Sequence, residues 1–404
     1  MKIFNILKKI FGHTIIYFVY FLLIGEFILR LPFIRNRYIP FLNTPPLFKY
    51  DPLLKMVHVP LAKSNYEGEG KSFVQINSHG LRDIEYSLEK QNNTIRIAIL
   101  GDSFTEAIQV PLEKTFCKQA EQHLKKCPFF QDKKVEIINF GVSSYGTIQE
   151  FLVLQKDVWD YSPNMVIIAM YTANDIMDNS PDFLTRHPRP YYEIKDNKLI
   201  QTSLRHFSAK QVKIQVKNII HSHSNLLYLI SSLRGQLAIK RRSQKEIPDL
   251  ESGDVLELGE NLGIYRPPTD QKWIHAWQLT EDFLLAIHRE TQLHSASLLI
   301  MTLSNELQVF PYYNQVKDFM LRHHINDIFY PDHRISEFAK TNHIPILTLV
   351  PILQQFARSE KKCIHGFSNC IPCGGHWNEL GHELAGKALA EKICAEASSY
   401  FHQN

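Results

Sequence analysis

The sequence predicts an α/β protein: a parallel β-sheet of about five strands with helices covering both faces. Three apolar runs, 95–100, 135–140 and 164–171, each end in a Gly- or Asn-containing turn and lead into a helical pattern. Successive strand–turn–helix units of this kind specify parallel pairing, because a short turn cannot connect parallel neighbours. At 404 residues the chain holds one large domain or two ordinary ones, and 44% hydrophobic with 21% charged residues is a globular composition. A net charge of +4 gives no reason to invoke nucleic acid.

Residues 1–31 stand apart. Lys2, Lys8 and Lys9 precede a stretch from Ile10 to Gly25 without Asp, Glu, Lys or Arg, and after Glu26 the apolar character continues through Leu29. About 20 such residues cross a bilayer, and no small-x-small cleavage site follows. The expectation is a single-pass signal anchor in the inner (cytoplasmic) membrane, with the remainder outside the cytoplasm. Arg30, Arg35 and Arg37 roughly offset the leading lysines, so orientation rests on weak asymmetry. Residues 32–94, rich in Pro, Asn and Tyr, read as a stalk and lead-in, with a turn at Gly80 inside Asn77-Ser-His-Gly-Leu-Arg-Asp83.

The domain proper is expected over 95–404. Its first strand breaks at Gly101-Asp-Ser103, with a helix expected from Glu106. This places the Ser103 hydroxyl at the carboxyl edge of a sheet, beside free backbone N–H groups. A helix N-cap is the structural alternative for Asp102 and Ser103. Leu112, Phe116, Ala120 and Leu124 repeat at helical spacing within 111–126. The second strand ends at Gly141 and a helix spans 146–158. The third strand ends in Thr172-Ala-Asn-Asp175. Residues 178–270 interrupt the pattern with a hairpin about Asp196-Asn197, the basic run Lys240-Arg-Arg242 and an acidic stretch from Glu246 to Glu260. The pattern resumes with a helix over 273–291, strands at 297–302 and 345–349, a helix around 335–341 between them, and a last helix opening at 375–382.

Four positions therefore follow strands and converge on one crevice: Ser103, Gly141, Asn174 and, after the last strand, His376. Acyl transfer needs a nucleophile, a base and donors to the oxyanion. Ser103 supplies the first and His376 the second. The N–H groups of Ser103 and Gly141 and the Asn174 amide supply the third. Taken singly, Gly141 is a turn glycine, Asn174 a turn cap and His376 a helix cap; His382 reads as packing.

In order and context, Gly101-Asp-Ser103, Gly141, Asn174-Asp175 and His376 resemble the four blocks of the SGNH (GDSL-type) hydrolases, over roughly residues 72–400. Asn77-Ser-His-Gly-Leu-Arg82, Gly101-Asp-Ser-Phe-Thr-Glu106 and Tyr145-Gly-Thr-Ile-Gln-Glu150 resemble a bacterial subgroup with an N-terminal membrane segment, similar to proteins that modify cell-envelope polysaccharide. The resemblance implies a flavodoxin-like three-layer αβα fold, no metal or cofactor, and hydrolysis or transfer of an ester. Asp102, Asp175 and Asn378 are expected to support the site. An acylated glycan or small ester is the expected substrate, with an envelope complex as partner; Tyr191, Tyr192 and Trp377 are candidates for stacking on sugar, with ordinary core residues as the alternative. A glycan O-acetyltransferase and a non-catalytic glycan-binding protein are the alternatives.

One departure matters. In the family an acid lies two or three positions before the histidine, and here those positions are Cys373 and Gly374. A backbone carbonyl, Asp332 or Glu360 are the alternatives for orienting His376. Of the six cysteines, Cys117 and Cys127 lie about 15 Å apart on a continuous helix, too far to pair. Cys363, Cys370 and Cys373 crowd into the loop before His376. There a disulfide competes with a zinc set completed by His365.

Overall fold

The computed structural model describes residues 47–183, 190–196, 198–202 and 262–401, together with 17, 20–31, 33–34, 224, 226–227, 229–230 and 233–234. The chain divides into two compact units, Met1–Pro45 with His206–Gln244, and Pro46–Arg205 with Lys245–Asn404.

In the smaller unit, residues 20–30 are helical. Glu26 receives hydrogen bonds from Arg30 Nε (2.9 Å), Ser224 Oγ (2.9 Å) and the Leu226 N–H (3.0 Å). Tyr20, Phe21, Leu23, Ile24 and Phe27 are exposed. Most of the expected anchor, residues 1–16 with 18 and 19, lies outside the described residues. Among the described residues no helix is long and apolar enough to cross a membrane.

The larger unit opens with two antiparallel hairpins, β1 (Phe48–Asp51) with β2 (Lys55–His58) and β3 (Lys63–Tyr66) with β4 (Ser72–Gln75). Most of the stalk part of the expected 32–94 segment, residues 32 and 35–46, lies outside the described residues, and the lead-in part carries these hairpins. Asn77 Oδ1 accepts the N–H groups of His79 (3.0 Å) and Leu81 (2.8 Å), closing the turn in which Gly80 takes φ +84°. That turn sends Arg82 into the interior.

Strand β5 (Thr94–Gly101) follows, then a single turn α1 (Ser103–Glu106) that stops at Ala107 in the left-handed region. The helix expected from Glu106 thus begins at Ser103 and ends at Glu106. Buried partners explain the stop: Arg82 donates to the carbonyls of Glu106 (2.9 Å) and Val110 (2.5 Å). The Glu106 carboxylate is shared by His58 Nε2 (2.5 Å) and the Ser143 N–H (3.0 Å). These side chains make the sequence blocks around Arg82, Glu106 and Ser143 one buried bracket.

Helix α2 (Phe116–Leu124) starts after Thr115, whose hydroxyl caps it; the first part of the expected 111–126 helix is instead a 3-10 turn. Strand β6 (Lys134–Asn139) leads to α3 (Thr147–Val153), which continues as one π turn. Strand β7 (Met165–Tyr171), buried throughout, leads to α4 (Asp175–Asp178). The expected hairpin is present as β8 (Tyr191–Lys195) and β9 (Lys198–Thr202). The basic run 240–242 and the acidic stretch 246–260 lie outside the described residues.

Helix α5 (Gln271–Leu293) is capped by Asp270, which accepts the Trp273 N–H (2.9 Å). The chain continues through β10 (Ser297–Leu303), α6 (Tyr313–Arg322), α7 (Tyr330–Thr341) and β11 (Ile346–Thr348). It ends with α8 (Val350–Glu360), α9 (Glu379–Ala395) and α10 (Ala397–Tyr400).

The five parallel strands run in the order β11-β10-β7-β5-β6. Helix α2 packs against α9, and α3 and α4 pack against α5. Right-handed crossovers put the helix that leads to β6 and those that lead back across the sheet on opposite faces. In chain order this is 2-1-3-4-5, the flavodoxin-like arrangement. The chain leaves β5 in both directions, so a crevice opens above the carboxyl end of β5. Ser103 stands there.

Candidate active site

Ser103 is the first residue of α1, two positions beyond the last residue of β5. Its place in the first helical turn frees its N–H from any intrahelical acceptor. Asp102 caps that turn, accepting the Phe104 N–H at 2.9 Å, and its other oxygen accepts Asn174 Nδ2 at 3.1 Å. One side chain thus aligns the nucleophile's helix with the amide after β7. Phe104 lies against Tyr171 (centroids 4.2 Å) and His376 (4.8 Å), forming an apolar floor.

His376 reaches this edge from the loop before α9. Its Nε2 lies 2.8 Å from Ser103 Oγ. Its Nδ1 lies 2.7 Å from Glu69 Oε2, which also accepts the His376 N–H at 3.1 Å. Burial pushes the Glu69 carboxyl up, but the hydrogen bond and charge of His376 outweigh it, so Glu69 sits below the usual carboxylate range. An ionised Glu69 accepts Nδ1–H and leaves Nε2 unprotonated towards the serine.

The orienting acid is therefore Glu69, in the turn between β3 and β4. Asp332, one sequence alternative, is buried elsewhere beside Gln308 Nε2 (2.5 Å), and Glu360 is exposed at the end of α8. Glu69 was not legible in the sequence: it precedes the histidine by 307 residues. The only local signal is the absence of bulk at Gly375. This residue takes φ +72°, and a Cβ there would come within 2.7 Å of Glu69 Oε1.

The residues flanking His376 are fixed by a buried relay. Burial holds His365 down to about 4, so its ring is neutral, with Nδ1 2.5 Å from the Gly375 carbonyl and Nε2 3.2 Å from Ser304 Oγ. Ser304 Oγ in turn accepts Trp377 Nε1 at 2.9 Å. Asn378 caps α9 by accepting the Gly381 N–H (3.1 Å), and its amide donates to the Cys363 carbonyl (2.9 Å). His382 is core: it is buried, stacked on Phe116 and accepts that residue's N–H.

The remaining expected residues divide. Gly141 is at the edge, but its N–H is committed to Asn139 Oδ1 (2.8 Å). What this glycine permits is close packing, since a Cβ would lie 2.5 Å from the Glu106 nitrogen. In the same loop Ser144 takes φ +65°, and its N–H has no acceptor among the described residues. Asp175 begins α4 and is fully buried; burial, with Glu150 adding to it, drives its carboxyl well above the ordinary range. Tyr191, Tyr192 and Trp377 are all buried, so none is a platform for sugar. Trp377 packs edge-on to Phe104 and Phe116 instead.

Two disulfides form, Cys127–Cys394 and Cys363–Cys373. The second takes two sulfurs out of the proposed zinc set and closes the loop before His376.

The chain matches no protein-family profile, and no curated protein matches its sequence. Solved structures similar to it include an acetyl xylan esterase (14% identity, 74% of this chain and 100% of that chain, TM-score 0.38). Others are an acetylxylan esterase from Geobacillus stearothermophilus (10%, 74% and 94%, 0.38) and a GDSL-like lipase from Bacteroides thetaiotaomicron (11%, 77% and 93%, 0.33).

Proposed function

We propose that this chain is a serine hydrolase of ester bonds, of the SGNH type, working through Ser103, His376 and Glu69. The observation that carries the reading is the continuous line from Glu69 Oε2 through both ring nitrogens of His376 to Ser103 Oγ, with steps of 2.7 and 2.8 Å. In the first half-reaction Ser103 Oγ attacks the ester carbonyl while His376 Nε2 takes the hydroxyl proton. Collapse of the tetrahedral intermediate breaks the bond to the leaving alkoxide, which departs with that proton. Water then attacks the acyl-serine, giving a proton to His376; collapse of this second intermediate breaks the acyl–Oγ bond, Oγ takes the proton back from His376, and the acid leaves. Glu69 stays ionised and stabilises the imidazolium formed in each step. The Ser103 N–H and Asn174 Nδ2 are donors for the oxyanion. Ser144 N–H is the unengaged donor in the loop after β6, whereas Gly141 N–H would first have to leave Asn139.

The ground for a non-catalytic reading was the missing local acid, and Glu69 fills that role. An acylated envelope glycan as substrate rests on the resemblance of the Asn77, Gly101 and Tyr145 motifs. Membrane attachment rests on the uncharged stretch 10–25 and the exposed apolar side chains of helix 20–30. Carbonate extraction of membranes from expressing cells tests attachment; release of the chain into the supernatant counts against it. The activity is tested by p-nitrophenyl acetate hydrolysis. Turnover by the wild type that disappears in Ser103→Ala and His376→Ala is expected; equal turnover in Ser103→Ala overturns the reading.

A further inference from the structure

We propose that Asn369 is a positioning residue that holds Glu69 against His376, acting from the loop closed by the Cys363–Cys373 disulfide. The inference rests on the serine-hydrolase reading above. Glu69 sits in Tyr66-Glu-Gly-Glu-Gly70, a turn whose two glycines give it little stiffness of its own. Asn369 supplies what the turn lacks. Its Oδ1 accepts the Gly70 N–H at 2.9 Å, and its Nδ2 donates to the carbonyls of Gly68 (3.1 Å) and Gly70 (2.8 Å). One amide therefore clamps the backbone on both sides of Glu69, and it touches neither Ser103 nor His376.

The clamp and the histidine belong to one covalent frame. Cys363 and Cys373 are joined across 10 residues, with Asn369 inside the ring and His376 three positions beyond it. Within that ring the Cys370 N–H bonds to the Phe367 carbonyl (3.0 Å), and the Gly366 N–H bonds to the His376 carbonyl (2.9 Å). Asn369 and His376 are thus held relative to each other, and the amide transfers that placement to Glu69. Ser72, whose hydroxyl bonds to the Ile108 carbonyl, tethers the far side of the turn to the segment after α1. Loss of Asn369 frees the Glu69 end while the hairpin stays attached.

The experiment uses the full chain and two readouts. In p-nitrophenyl acetate hydrolysis, Asn369→Ala is expected to lower kcat about 10- to 100-fold with KM unchanged, the scale of a small misplacement of a catalytic group. The same substitution in a Glu69→Gln background is expected to cost nothing further, because the clamp acts only through Glu69. The pair Cys363→Ser and Cys373→Ser, which opens the ring that carries Asn369 while leaving its amide in place, should reproduce part of the loss. The second readout is the low-field proton resonance of His376 Nδ1–H. It should be present in wild type, absent in Glu69→Gln and weakened in Asn369→Ala, whether or not the protein turns over substrate. Losses that add in the double variant, or an unchanged resonance in Asn369→Ala, overturn the clamp. Wild type without Ser103-dependent turnover overturns the hydrolase reading instead, and the resonance still decides the clamp.

Discussion

The two sides of His376 are built in opposite ways. On the Nε2 side, Ser103 is delivered by its own neighbourhood: a buried strand, a Gly, an Asp that caps the next turn, and one helical turn. The contacts that start its turn, from Asp102 and from Asn174 after β7, are local or come from the adjacent strand, while Arg82 and His58 from the lead-in fix where the turn ends. On the Nδ1 side, Glu69 comes from a glycine-rich turn in the lead-in and is clamped by Asn369, 300 residues further on. The placement of Ser103 therefore belongs to a strand end and its turn, and that of Glu69 to the assembled fold. The two sides should fail differently when disturbed.

The largest loss is expected on the local side. Ser103→Ala removes the bond-forming atom and should lower kcat by about 10⁴-fold or more, with folding intact, since the hydroxyl carries no structural load. On the distant side Glu69→Gln keeps shape but reverses the tautomer preference of His376. A loss of about 10²- to 10⁴-fold in kcat is expected. Equal activity in wild type and Glu69→Gln would show that the two sides are not coupled through the ring.

Gly375→Ala sharpens the comparison because it attacks the distant side without removing a functional group. The added Cβ meets Glu69 Oε1 at 2.7 Å and strains a backbone at φ +72°, at a cost of about 1–3 kcal/mol. Lower kcat together with a lower melting temperature is expected; a change in stability alone would mean that Glu69 tolerates displacement. The two disulfides make a matched control. Cys127–Cys394 joins the segment after α2 to the end of α9 across 267 residues. Replacing both cysteines with alanine should cost stability, about 2–4 kcal/mol, and leave turnover unchanged.

The smallest effects on turnover are in the response to acid, which acts through stability. His365 and His382 are buried neutral, held down to about 4 and about 3 by desolvation. The unfolded chain protonates both near 6.5, so between that pH and the folded values it binds more protons than the native protein. Stability is then complete above about 6.5 and falls as pH drops towards 4, by about 3 kcal/mol for His365 alone. Urea titrations at pH 7 and 5 should show it, and His382→Gln should flatten part of the slope. Glu69 acts in the same direction, but only below the ordinary carboxylate range, because its own value is depressed.

How much was legible in the sequence follows from the range of the forces involved. Strands 95–100, 135–140 and 164–171 are mostly apolar because they are buried on both faces, the charged exceptions Arg96 and Glu136 pairing with each other (2.6 Å), and their order and turns predict a parallel sheet. Ser103, Asn174 and His376 were legible because each sits at an element end, where side-chain chemistry is set by adjacent residues. Gly141 was legible as a constrained position, but its role was not. Whether its N–H meets solvent or Asn139 is decided by packing against α1. Tyr191, Tyr192 and Trp377 are open in the sequence between sugar platforms and core, because a loop aromatic can be either; packing decides, and the bond to Ser304 and the contact with Phe104 hold Trp377 inside.

The sequence by itself determined the α/β class, the strand end that carries Ser103, the helix start that follows His376, and the hairpin at Asp196. These depend on periodicity and turn chemistry within a dozen residues. Tertiary structure alone decided the acid, the disulfide pairs and which donors remain free at the sheet edge. Glu69 with His376 and Cys127 with Cys394 join groups 307 and 267 residues apart, and no spacing rule connects them; in the loop before α9 it is packing that selects Cys373 over Cys370 as the partner of Cys363. What brings Glu69 and His376 together is the packing of the lead-in against the loop before α9. There Gly375 leaves the room and Asn369 supplies the hydrogen bonds.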